Sequence, residues 1–184
     1  MSLKDSTTTT DYLDFDYIAV VVLRLRRNPK NKLIADYITI ASNTGLRCSD
    51  VLKLNWEELR NPSIHVKETK TGKKKKISIN NAIHSIISPE DKGSPFITQK
   101  GDIISNRHLN RLLKKVFEKD VSKGLNVSTH TLRKSFGRRV YKMNNETEAS
   151  LITLSEIFNH TSIKTTKIYL GIRQEEIDDV YLNL

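Results

Sequence analysis

The apolar positions of this chain recur mostly at helical spacing. Ile18, Val21, Val22 and Leu25 follow a capping aspartate, Asp14 or Asp16, and draw one stripe along a first helix. Residues 29–32, Pro-Lys-Asn-Lys, break it. Leu33, Ile34, Tyr37, Ile38 and Ala41 make a second stripe, ended by Asn43-Thr44-Gly45, where glycine can take the left-handed conformation that closes a helix. Ser49 is placed to cap a short third helix carrying Val51, Leu52 and Leu54.

Period two then takes over. Residues 63–66 and 76–79 alternate polar and apolar around a turn containing Gly72, which predicts a β-hairpin. Helical spacing returns around residues 81–87, and again near 105–118, 129–142, 151–158, 162–169 and 173–181. The expected fold is mainly α with a small antiparallel β-sheet, an α+β class. A chain of 184 residues suffices for one domain with a real core. Residues 1–10 have no apolar stretch and read as a disordered leader or a cloning scar, not a secretory signal. The folded domain is expected over 11–184.

Charge narrows the class of partner. The chain has 31 Lys and Arg against 21 Asp and Glu, a formal net charge of +10. Such an excess suits a polyanion if the cations cluster, and is otherwise just a basic surface. A single cysteine, Cys48, excludes an internal disulfide and fits a reducing, cytoplasmic compartment. No run approaches the ~18–20 apolar residues of a membrane span. The five histidines show no metal-ligand spacing, and there is no P-loop.

Four segments could carry chemistry. In "TGLRCSD" (44–50), Arg47 sits in a tight connection between two helices; by itself it also reads as a surface arginine closing a helix end. In "KETKTGKKKKISI" (67–79), Lys70, Lys73, Lys74, Lys75 and Lys76 surround the hairpin turn and could reach a phosphate backbone, or simply be solvated. In "STHTLRKSFGRRVY" (128–141), Leu132, Phe136 and Val140 form the expected buried stripe. His130, Arg133 and Gly137 share an adjacent face, where the missing side chain leaves room for something bulky. Lys134, Arg138 and Arg139 add charge. In "FNHTSIKTTKIYLGI" (158–172), Thr161 or Ser162 can cap a helix, His160 sits at the bend before it, and Tyr169 lies nine residues on. Taken alone, Tyr169 reads as a core tyrosine.

In combination the four segments present Arg, Lys, His-x-x-Arg, His and Tyr in order. This resembles the catalytic domain of the tyrosine recombinases, the integrase and site-specific recombinase family, over roughly residues 33–172. The resemblance implies a catalytic set of Arg47, Lys70, His130, Arg133, His160 and Tyr169, with Asp50 at an acidic position supporting the arginine helix. Lys70 is matched because it directly precedes Thr-Gly. The chain departs from the family's common pattern in Phe158-Asn159 before His160, in Lys134-Ser135 after Arg133, and in Gly171 two residues after Tyr169.

The resemblance further implies attack of Tyr169 on a DNA phosphodiester, giving a 3′-phosphotyrosyl bond and a free 5′-hydroxyl, with no metal and no cofactor. Double-stranded DNA is the implied partner. Lys73, Lys74, Lys134 and Arg138 are expected as additional DNA contacts. A homotetramer on DNA is expected, with room for accessory DNA-bending proteins. An N-terminal DNA-clamping domain is expected outside this chain, and the tail after residue 172 is expected to pack either on its own domain or on a neighbouring subunit. The rival readings are type IB topoisomerase-like DNA relaxation and a non-catalytic DNA-binding regulator.

Overall fold

A computed structural model describes residues 10–172, 178 and 180–183. Helix α1 (Phe15–Arg26) starts where the Asp14 carboxylate accepts the backbone N–H groups of Asp16 and Tyr17. A 3-10 turn, Pro29–Asn31, separates it from α2 (Lys32–Thr44). Helix α2 is the central element: Tyr37, Ile38 and Ile40 are fully enclosed, and it packs against α1 and α8. It ends at Gly45 with φ 61°, as its sequence predicts.

The next helix differs from expectation. Arg47, not Ser49, is the N-terminal cap of α3 (Cys48–Val51), with extended backbone and no side-chain cap bond. Ser49 lies inside the helix, its hydroxyl turned to the Asp50 carboxylate. Helix α4 (Trp56–Leu59), absent from the periodicity reading, begins at a capping box in which Asn55 and Glu58 each bond the other's backbone. Strands β1 (Ser63–Lys67) and β2 (Lys74–Ser78) form the expected antiparallel hairpin, with Val66 opposite Lys75 and Ile64 opposite Ile77. Helix α5 (Asn81–His84) is shorter than expected.

The C-terminal half consists of α6 (Asn106–Val116), α7 (Glu118–Ser122), α8 (Thr129–Met143), α9 (Glu148–Phe158) and α10 (Ile163–Leu170). Helix α7 was not expected, and α9 starts three residues earlier than its apolar stripe, at a Thr147 cap. Ser162, one of two candidates, caps α10. The helix expected over 173–181 lies largely outside the described residues; Val180, Tyr181 and Leu182, which are described, are exposed. Among the described residues no helix is long and apolar enough to cross a membrane.

The apolar interior has two parts. The larger gathers α1, α2, the hairpin, α6 and Leu132 of α8. The smaller joins Tyr141 of α8 to Leu151, Leu154 and Phe158 of α9 and Leu170 and Ile172 around the end of α10. Helix α8 contributes to both. Its buried face is not quite the expected stripe: Leu132 is enclosed, Phe136 and Val140 are only partly covered, and Arg133 is buried at 3 % exposure. That arginine lies at the seam between the two interiors, and the seam is where the sequence-derived residues meet.

Candidate active site

Gly45 turns the chain out of α2, Leu46 is buried after it, and Arg47 is thereby pointed at the seam. Its Nη1 meets Glu68 Oε2 at 2.7 Å, and its Nη2 donates to the Phe158 carbonyl at 3.2 Å. Arg133 comes from the opposite side, on α8. Its Nη1 donates to the Gly45 carbonyl at 2.6 Å and its Nη2 to the same Phe158 carbonyl at 3.1 Å, and the guanidinium stacks 4.3 Å from the Phe158 ring. Two arginines thus converge on one oxygen at the C-terminal end of α9, the negative end of its dipole.

Beyond Phe158 the chain reverses at Asn159, which adopts the left-handed conformation (φ 52°, ψ 45°). His160 is returned to the site, its backbone N–H bonded to Ser155 O at 2.9 Å. His160 Nδ1 lies 3.0 Å from Thr166 Oγ1 on α10. The His160 and Tyr169 rings stand nearly perpendicular with centroids 5.3 Å apart, and Phe158 packs 5.4 Å from each. The apparent separation of His160 and Tyr169 along the chain closes because α10 folds back over the bend.

The Tyr169 hydroxyl is buried and faces the Arg133 guanidinium. Burial raises its pKa, and the charges of Arg133 and Arg47 pull the other way without overcoming it. Burial, reinforced by Arg133 and Arg47, lowers the His160 pKa to about 4, so this imidazole is neutral at pH 7. His130, in the first turn of α8, sits at the solvent edge of the site. Partial desolvation, then Arg133, Arg47 and Lys70, lower its pKa as well. A neutral imidazole there is a competent proton acceptor.

The hairpin enters from the side of Arg47. Asp50, buried within α3, accepts from Thr69 N at 2.8 Å and Thr69 Oγ1 at 2.6 Å, which ties the arginine helix to the residue before Lys70. Lys70 itself is exposed at the tip, in electrostatic reach of His130. Lys73 and Lys74 are also exposed on the hairpin. Lys134 and Arg138 lie along α8 against the start of the chain: Lys134 Nζ donates to Thr10 O at 2.9 Å, and Arg138 stacks on the Tyr12 ring at 4.5 Å. The room beside Gly137 is filled by Leu170 and Phe158, which would meet a Cβ there at 2.6 and 2.9 Å.

Three participants were not placed here by the sequence reading, which named Lys75 only as a lysine of the hairpin turn. Glu68 is enclosed and paired with Arg47 and, at 3.0 Å, with Lys75. Lys75 Nζ also donates to the Ile157 carbonyl at 3.0 Å. Thr166, fully buried, holds His160. A signal for the first two was present. Ile64, Val66 and Glu68 fall on the same inward face at period two, and Lys75 pairs across from Val66. Charged residues on an inward register mark a buried pair, but the run of four lysines hides which one turns in.

Comparisons with known proteins bear on the family and the fold. The model of the phage integrase family matches residues 13–176. The chain is 28 % identical over 177 residues to the integrase of Escherichia phage P2, covering 96 % of this chain and 48 % of that protein. It spans about half the length of the first curated relatives it matches, which include tyrosine recombinases. Among solved structures, the XerH site-specific recombinase bound to palindromic difH substrate, a post-cleavage complex, superposes with TM-score 0.69 at 19 % identity, over 98 % of this chain and 55 % of that one. The catalytic domain of bacteriophage HP1 integrase superposes with TM-score 0.58 at 23 % identity, over 88 % of each chain. The fold is that of a tyrosine recombinase catalytic domain.

Proposed function

We propose, for a chain that belongs to the phage integrase family, that the seam between its two interiors is a site for breaking and rejoining DNA strands in site-specific recombination. The observation that carries this reading is the convergence of Arg47 and Arg133 on one carbonyl oxygen beside the buried hydroxyl of Tyr169. Two fixed guanidinium groups suit a phosphate and the negative charge that builds on it in the transition state. The solved structures of similar fold that were captured on DNA, XerH on difH and the Tn1549 integrase on a circular intermediate, support the same partner class.

The steps balance without an external energy source. Tyr169 Oη attacks the phosphorus and forms a P–O bond as the bond to the 5′-oxygen breaks. The phenol proton passes to neutral His130, because a tyrosine of pKa about 10 or higher needs a base. Lys70 gives a proton to the departing 5′-oxygen. If Thr166 donates to Nδ1, His160 carries its proton on Nε2 and can donate it to the phosphate. A second 5′-hydroxyl attacks the phosphotyrosine and reverses the sequence. Asp50 holds the hairpin that carries Lys70, and Lys73 and Lys74 meet the DNA backbone. Lys134 and Arg138 extend the same basic flank along α8. A tetramer on double-stranded DNA, with a clamping domain outside residues 1–184, belongs to the same proposal.

The test is a library of nicked suicide duplexes with randomised cores, incubated with the protein and run on a denaturing gel. The wild type is expected to form a covalent protein–DNA adduct that Tyr169→Phe abolishes. No wild-type adduct, or one that survives Tyr169→Phe, overturns the reading. Joining of strands from two duplexes distinguishes recombination from relaxation by a topoisomerase.

A further inference from the structure

Glu68 is a carboxylate in a place prepared for a phosphate. Its side chain is fully enclosed, with Arg47 Nη1 at 2.7 Å on one oxygen and Lys75 Nζ at 3.0 Å on the other, and the Thr71 hydroxyl donating at 2.8 Å. A site selected only for affinity to an anion would gain by losing it. The carboxylate therefore has to be explained by something other than binding. Each of its two cations also reaches the end of α9: Arg47 through the Phe158 carbonyl and Lys75 through the Ile157 carbonyl. Glu68 is thus the common anchor of two parallel struts between the hairpin and the helix end that precedes His160.

We infer that Glu68 is a positioning residue: it fixes the Arg47 guanidinium and, through Lys75, locks the hairpin bearing Lys70 to the end of α9. An arginine held by a carboxylate on one edge keeps its remaining N–H groups aimed at one point, whereas an unanchored one samples many rotamers. The same contact sets the distance between the hairpin tip and the bend that carries His160. Burial raises the Glu68 pKa, but the hydrogen bonds from Thr71, Lys75 and Asn159 and the Lys75 charge outweigh it and hold the carboxyl at about 2, so the anchor stays charged across the neutral range. Thr69, the next residue, is gripped by Asp50, so the hairpin is fastened at two consecutive residues just before Lys70.

This inference rests on the strand-breaking reading, and its test uses the suicide duplex that the wild type cleaves. Single-turnover adduct formation and DNA affinity by fluorescence anisotropy are measured side by side for Glu68→Gln, Glu68→Asp and the double variant Glu68→Gln/Lys75→Met. Glu68→Gln is expected to slow adduct formation by about tenfold or more, as loss of orientation does. Its affinity should stay equal or rise, because a negative charge beside the phosphate has gone. Glu68→Asp should recover part of the rate. The double variant removes both charges of the Glu68–Lys75 pair and is expected to keep the wild-type circular-dichroism spectrum, and it should remain slow because Arg47 still lacks its anchor. Glu68→Gln cleaving at the wild-type rate overturns the inference. So does a double variant restored to the wild-type rate, which would make Glu68 only the counter-charge of Lys75, or a loss of affinity that matches the loss of rate. A wild type that forms no adduct overturns the strand-breaking reading and this inference with it; a wild type that reacts beside an unimpaired Glu68→Gln overturns the inference alone.

Discussion

The Tyr169 hydroxyl is buried against the Arg133 guanidinium, and the cost of burying it offsets much of what such a contact contributes to stability. Tyr169→Phe should therefore stay within about 1 kcal/mol of the wild type in thermal denaturation, even as it loses adduct formation. A drop of several degrees would mean that the hydroxyl is held in the free protein. His160 gives a second residue-scale expectation. Its pKa is about 4 in the fold against about 6.5 when unfolded. Between those values the unfolded chain binds more protons, so stability rises with pH and is lost as pH falls from about 6.5 towards 4. His130 is shifted in the same direction, while the Glu68 contribution is lost only lower, as pH falls from about 4.5 towards 2. The melting temperature should fall through the histidine window, and His160→Gln should flatten that fall; an unchanged profile in the variant would count against a buried neutral imidazole.

At the scale of elements, the site depends on how closely α8, α9 and α10 approach. Gly137 permits that approach, since a Cβ would lie 2.6 Å from Leu170 and 2.9 Å from Phe158. Alanine is the better helix former by about 1 kcal/mol. Overpacking in a filled interior costs about 1–3 kcal/mol, and relieving it displaces the Leu170 side chain of α10 and the Phe158 ring of α9. Gly137→Ala is expected to be destabilised in urea and to lose more adduct formation than stability, because α10 carries Tyr169. Most elements here were legible in advance. The α1, α2, α8 and α10 boundaries follow from Asp14, Gly45, Ser128 and Ser162, whose local bonds are made by the chain near itself. The short helices α4 and α7 were not, because four or five residues show too little of a period; for α4 the Asn55–Glu58 capping box was the available signal. Ser49 was misjudged as a cap because the turn at Gly45 and Leu46 starts α3 earlier.

For the molecule as a whole, the +10 charge gives a measurable consequence. Each phosphate neutralised by a lysine contributes about 0.9 to the slope of log affinity against log salt. Replacing Lys73 and Lys74 by alanine should lower that slope by about 2 in anisotropy titrations over a salt series. An unchanged slope would show that the hairpin points away from DNA. The identities and order of Arg47, Lys70, His130, Arg133, His160 and Tyr169 were readable from sequence alone, as were the helical stripes and the hairpin, because residue type and short-range period are properties of the chain itself. What the tertiary structure decided is which of these groups meet and in what state. Arg133 is buried at a seam rather than displayed on a polar face, both arginines share the Phe158 carbonyl, and His160 is neutral beside Tyr169. Glu68 and Lys75 enter the site from a strand that looked merely basic. These outcomes depend on contacts between residues tens of positions apart and on the desolvation that packing imposes, and neither quantity exists until the two interiors close against each other.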